Sequence, residues 1–188
     1  MDFYEFSTNI ICSRKELLRR LLDKHNILYS MVVSTKNLSK SYGNNNILED
    51  LTVEIGTDNN LVGILGPNGV GKTTFIEIVT GQLKQDSGDV SVLGNSLPDE
   101  RDKLKEQIGV LPESESPSTH LTVEEFLTLY GLERDLDSST VEERINEWAD
   151  LFGFNRVLDV LCKDISQGQK QMVMITQAFL HNPYLVFI

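Results

Sequence analysis

Cysteine is nearly absent from this 188-residue sequence: Cys12 and Cys162 stand far apart, and with only three histidines they offer neither a disulfide framework nor a zinc-type spacing. That usage suits a reducing, cytosolic setting. Long apolar runs are missing too. None approaches the roughly 20 residues that cross a bilayer. The first residues include Asp2 and Glu5 rather than the basic start of a secretory leader. Membrane association is therefore expected only through a partner. Positive charge is equally scarce: 17 Lys and Arg face 28 Asp and Glu, a net charge of −11. Such a balance argues against binding a nucleic-acid backbone unless a local basic patch overrides it. Ten lysines against seven arginines favour ordinary acidic solubility over salt adaptation, which would be expected to shed lysine.

What is present is a globular composition, 40% hydrophobic and 24% charged, at a length that suits one domain with a sizeable core or most of one. Residues 1–30 differ from the rest. They carry five basic and four acidic side chains, so the whole acidic excess lies from Met31 onward. Within them Arg14 to Lys24 spaces Leu17, Leu18, Leu21 and Leu22 as an amphipathic helix with no assigned role, and Met31 is an alternative start of the chain. After Met31 come short strands rich in Val, Ile and Leu: Val32 to Leu38, Ile47 to Ile55, Leu61 to Leu65, Asp89 to Leu93 and Ile108 to Leu111. Helical patterns begin at Lys72, Thr122, near Thr140 and at Gln167. Thr122 with Glu125, and Thr140 with Glu143, fit capping boxes.

The chemically informative stretch is LVGILGPNGVGKTT, Leu61 to Thr74, where an apolar strand meets Gly66-x-x-x-x-Gly71-Lys72-Thr73 and then a helix. Gly66, Gly69 and Gly71 permit backbone conformations closed to other residues, so that successive N–H groups converge on an anion at the positive end of the helix. Lys72 would reach the β- and γ-phosphates and Thr73 would offer a hydroxyl to Mg²⁺. The expected ligand is a nucleoside triphosphate with Mg²⁺. No Asn-Lys-x-Asp run is present to read guanine.

Two further segments frame this loop: Lys40-Ser41-Tyr42-Gly43, with one aromatic at a turn, and Asp164-Ile165-Ser166-Gln167-Gly168-Gln169-Lys170-Gln171, a polar entry to a helix. In this order, and with Ser87 to Gly94 and His120 to Leu127, they resemble the ATP-binding cassette (ABC) ATPases from about Met31 to Ile188. The resemblance implies an α/β fold, a P-loop NTPase core with an antiparallel β portion and a helical insertion at about 105–169. It implies that Tyr42 stacks on adenine and that Asn68 to Thr74, Thr74 included, hold the phosphates and Mg²⁺. It also implies a head-to-tail dimer with a second ABC ATPase subunit, in which Ser166, Gly168 and Gln169 act in trans on the partner's ATP. A transmembrane permease subunit completes the set of expected partners, with the ATPase on the cytoplasmic side. On the residues alone, Tyr42 also suits a half-buried edge position and Ser166 a simple helix cap.

Two positions depart from the family pattern. Gln167 replaces the first glycine of the usual Leu-Ser-Gly-Gly-Gln, giving the Ser-x-Gly-x-x-Gln form that resembles export-type members. Glu113 stands where the family commonly has a Gln that approaches Mg²⁺ and the attacking water. Beyond these, Tyr184 to Ile188 reads as a buried strand, after which the family places an Asp, a Glu and a later His that these 188 residues do not include; His181 is expected to be a surface residue at a helix end. The expectation is the first two-thirds of an ABC ATPase domain, incomplete at its C-terminus and deficient in hydrolysis. A ribosome- or DNA-associated ABC ATPase and a non-hydrolytic regulatory fragment remain the alternatives.

Overall fold

A computed structural model describes residues 2–5 (backbone alone), 31–56, 61–111 and 116–188. The expected helix over Arg14 to Lys24 and the position of Glu113 lie outside these. The chain divides into two compact units, Met1–Lys105 and Glu106–Ile188. The first is built on an antiparallel four-stranded sheet, ordered β3-β2-β5-β6. Its strands are β2 (Met31–Tyr42), β3 (Asn45–Gly56), β5 (Ser87–Val92) and β6 (Asn95–Leu97). Alternation along β2 and β5 turns Val33, Leu38, Val90 and Val92 into the core. Thr35 is buried among them, and its hydroxyl donates to the Leu51 carbonyl at 3.1 Å while accepting from the Val53 N–H at 3.1 Å. That satisfies a polar group whose burial would otherwise be costly. Asn37, with φ 50°, marks the bulge at which the pairing of β2 shifts register on both sides.

The phosphate-loop strand, β4 (Val62–Leu65), pairs antiparallel with β1 (Asp2–Glu5), a strand the sequence reading did not anticipate. Leu61 and Leu65 are exposed, so β4 is less enclosed among the described residues than the sequence implied. It leads through the glycine loop into α1 (Lys72–Val79), whose Phe75, Ile78 and Val79 are fully buried. A short helix, α2 (Arg101–Gln107), also went unanticipated, having a single buried residue, Leu104, to signal it.

The second unit joins a parallel strand pair, β7 (Ile108–Val110) and β8 (Leu185–Phe187), to three helices, α3 (Val123–Glu133), α4 (Ser138–Phe152) and α5 (Gln167–Phe179). Val123, Leu127, Val141, Ile145, Ala149, Phe154 and Val173 form its core. The apolar run expected as a buried strand is half-buried over Leu185–Phe187, and Ile188 is exposed. The capping box at Thr122 and Glu125 is present. The one expected at Thr140 and Glu143 is not: α4 begins at Asp137, whose carboxylate accepts the Thr140 N–H at 2.9 Å and so starts the helix three residues earlier.

Candidate functional site

Within the first unit, the loop after β4 closes on itself before it meets the helix. The Lys72 ammonium folds back to donate to the carbonyls of Gly66 and Pro67, each at 2.9 Å. These are neutral acceptors, and among the described residues no carboxylate pairs with this lysine. Gly69 and Gly71 have φ of 80° and 98°, so both need the left-handed freedom of glycine. At Gly71 space adds a second constraint: a Cβ there would lie 2.8 Å from Leu48 Cδ2 and 3.1 Å from the Ile47 carbonyl oxygen. The same contact seats the loop against β3 just after the β2–β3 turn that carries Tyr42.

Gly71 is also the N-cap of α1, which among the described residues has no side-chain cap hydrogen bond and no acidic residue in its first turn. The leading N–H groups of α1 are thus left to a ligand or to water, at the end of the helix where the peptide dipoles favour negative charge. Asn68 and Thr73 are exposed beside them and Thr74 is buried. Among the described residues no group of three His, Cys, Asp or Glu could hold a metal. The Thr73 hydroxyl is therefore a donor atom that suits Mg²⁺ only when phosphate oxygens complete the coordination. At the tip of the hairpin Tyr42 is half-exposed, with the Lys40 ammonium over its ring, 5.8 Å from the centroid. The edge-residue reading of Tyr42 is thus met as to exposure, while the ring stays available for stacking.

In the second unit Ser166 caps α5, as the residue pattern allowed. Its hydroxyl accepts the Gln169 N–H at 3.3 Å, and Gln169 Oε1 accepts the Ser166 N–H at 2.8 Å, forming a reciprocal capping box. Gly168 is exposed on the first turn, and a Cβ there would meet nothing within 4 Å. Nothing among the described residues calls for glycine at this position.

His181 is not the surface residue expected from the sequence. It is mostly buried beyond the end of α5, with Nε2 2.9 Å from the Ile108 carbonyl oxygen and 3.4 Å from Arg134 Nη1. Burial first, and the Arg134 charge second, push its pKa down to about 4. The ring is therefore neutral and Nε2 carries the proton, which makes His181 a tie between α5 and β7. Sequence reasoning also missed Lys40 and Asp86, which organise the backbone before Tyr42. Asp86 Oδ1 accepts from Lys40 Nζ at 2.7 Å and Oδ2 from the Ser41 N–H at 2.8 Å.

The ABC transporter family model matches residues 48–188. The lipopolysaccharide export system ATP-binding protein LptB of Haemophilus influenzae is 31% identical over 160 residues, which cover 84% of this chain and 66% of that protein. The Nod factor export ATP-binding protein I of Sinorhizobium fredii is 29% identical over 158 residues, 84% of this chain and 46% of that protein. A solved structure of the ATP-binding subunit of an ABC transporter shares 30% identity and a TM-score of 0.69, over 82% of this chain and 64% of that one. The chain spans about half to two thirds of the length of the curated relatives it matches. No helix among the described residues is long and apolar enough to cross a membrane. With a matched family model over three-quarters of its length and a glycine cradle ahead of an uncapped helix, this chain belongs to the ABC transporter ATP-binding subunits.

Proposed function

We propose that this chain binds Mg-ATP through Gly66, Asn68, Gly69, Gly71, Lys72, Thr73 and Thr74, with adenine stacked on Tyr42. The observation that carries the reading is the state of Lys72 and α1: an ammonium held, among the described residues, by two loop carbonyls and a helix start with no side-chain cap. Both are electropositive groups with weak present partners. Exchange of the Gly66 and Pro67 carbonyls for β- and γ-phosphate oxygens turns two neutral hydrogen bonds into charge-assisted ones. Mg²⁺, held by Thr73 and by the nucleotide's own oxygens, supplies charge neutralisation at the phosphates.

In this reading the chain works as one of two subunits that dimerise head to tail. Ser166, Gly168 and Gln169 of one subunit cap the ATP of the other. The exposed start of α5 and the unfilled space at Gly168 support this, because both suit the close approach of a phosphate to backbone N–H groups. Glu113 lies at the position from which the nucleotide state is relayed to a transmembrane permease, and Lys72 and Glu113 are the residues of this chain assigned to the hydrolytic step. The names of the export relatives and the Ser-x-Gly-x-x-Gln signature favour export as the direction. The protein is then cytoplasmic and peripheral to the membrane.

The test is calorimetric titration of the 188-residue chain with Mg-ATP beside Lys72→Ala. Binding that weakens roughly 30- to 150-fold in the variant supports the reading. Equal affinities overturn it.

A further inference from the structure

The contacts of Asp86 converge on one short segment. Its backbone N–H donates to the Ser39 carbonyl at 3.0 Å, its Oδ1 accepts from Lys40 Nζ at 2.7 Å, and its Oδ2 accepts the Ser41 N–H at 2.8 Å. Three consecutive residues are thus tied to one residue in the turn that leads into β5, and the next residue is Tyr42. The tie extends to the ring itself. Lys40 is mostly buried, with its side chain 14% exposed, and its ammonium is held between the Asp86 carboxylate and one face of the Tyr42 ring. Tyr42 keeps 49% of its surface open to solvent.

From this geometry we infer that Asp86 is the positioning residue for Tyr42, fixing both the backbone before it and the cation on one face of its ring so that the remaining surface meets a nucleobase. The inference rests on the proposed stacking role of Tyr42 and adds a residue to it. A structural role alone accounts poorly for the arrangement, because an ion pair with a half-exposed carboxylate contributes little to stability. What the pair does provide is order. An aromatic at the tip of a two-residue turn has freedom to lose when a base stacks on it, and a ring already held by Lys40 has less. The bonds from Lys40 first, and from Ser41 second, hold the Asp86 carboxyl below the usual range, so the tie is intact at neutral pH.

The experiment separates base from phosphate. Mg-ATP and Mg-tripolyphosphate, which has no base, are titrated into the full chain and into Y42A, D86A, D86N, K40M and the double variant Y42A/D86A. Y42A is expected to weaken ATP binding roughly 5- to 100-fold, as for loss of an aromatic stack, and to leave tripolyphosphate unchanged. D86A is expected to weaken ATP by about three- to tenfold, a fraction of that stacking effect, with tripolyphosphate again unchanged and no further loss in the double variant. K40M and D86N follow in the same direction, and they carry the test if D86A does not fold. If Asp86 and Lys40 variants weaken both ligands equally, or add fully to Y42A, Asp86 acts elsewhere. Loss in Y42A with none in the D86 and K40 variants overturns the role of Asp86 and leaves that of Tyr42. An ATP affinity unmoved by Y42A, or absent in the parent chain, removes the stacking reading and this inference together.

Discussion

Helices α3, α4 and α5 each begin at a side chain that closes their first turn, namely Thr122, Asp137 and Ser166, whereas α1 begins at Gly71 with backbone alone. In each of the first three a cap side chain accepts the N–H three residues on. α3 even places Glu124 and Glu125 in its first turn, where they complement the helix dipole, and α1 has no acidic residue there. The difference is not one of helix-forming strength, since Phe75, Ile78 and Val79 bury α1 as firmly as any helix of the second unit. It lies in what is left open. A helix held by its buried face can leave its N-terminus unsatisfied, and the cost of doing so is recovered when an anion arrives. The start of α5 stands between these cases, because Ser166 and Gln169 close it while Gly168 keeps its surface bare.

The largest effect that would break this contrast belongs to Lys72. Lys72→Ala removes the only cation of the loop and is expected to lower Mg-ATP affinity by roughly 2–3 kcal/mol, with a melting temperature close to that of the parent. A comparable loss in melting temperature would mean that the two carbonyl bonds of Lys72 hold the fold and that α1 is not an open site.

The other end of α5 supplies the next test, read through pH. The folded pKa of His181 lies at about 4, below the ordinary value near 6.5, so the unfolded chain binds the extra proton between them. The stability gained by keeping the ring neutral is therefore complete above pH 6.5 and is lost as pH falls toward 4, by up to about 3 kcal/mol. Trp148, the single tryptophan, packs on Phe152 in the second unit and reports its unfolding. His181→Gln, which can still donate to Ile108, should flatten the decline in urea midpoints over that window. An unchanged slope would place the acid sensitivity in other groups.

Removing a cap is expected to matter less. Thr122→Ala should destabilise the second unit by about 1 kcal/mol with no change in Mg-ATP affinity, since its oxygen closes the α3 start. A drop in affinity would show that capped and uncapped helix starts are not independent.

How much of this was legible in the sequence depended on how close along the chain the interacting groups lie. The phosphate loop is nine consecutive residues, and a capping box joins residues three apart, so Gly66 to Thr74 and Thr122 with Glu125 could be read directly, as could Ser166 as a helix cap, though not its reciprocal bond with Gln169. Thr140 with Glu143 fits the same pattern but loses to Asp137, because a carboxylate one turn upstream takes the N–H that would have marked the start. Pairings across the fold left no such trace. Asp86 lies 46 positions from Lys40 and His181 lies 73 from Ile108, and neither residue type has a local pattern that names its partner. Strand β6 and helix α2 are three and seven residues long, too short for periodicity to speak.

The smallest expected effect is the most discriminating, because its two parts have opposite signs. Gly168 sits in the first turn of α5 with no positive φ and with nothing within 4 Å of where a Cβ would stand. Alanine at such a position is better for the helix, so Gly168→Ala should stabilise the chain by roughly 0.5–1 kcal/mol, a rise of about 1–4 °C in melting temperature. A site that merely had to be helical would accept that gain without loss. If the surface is kept bare for the phosphates of a second subunit, the added methyl group stands where they must approach. ATP-dependent association, followed by sedimentation velocity with Mg-ATP, should then weaken in the variant even as it becomes more stable. A lower melting temperature would mean that the chain itself fills this space, and an unchanged association would remove Gly168 from the contact between subunits.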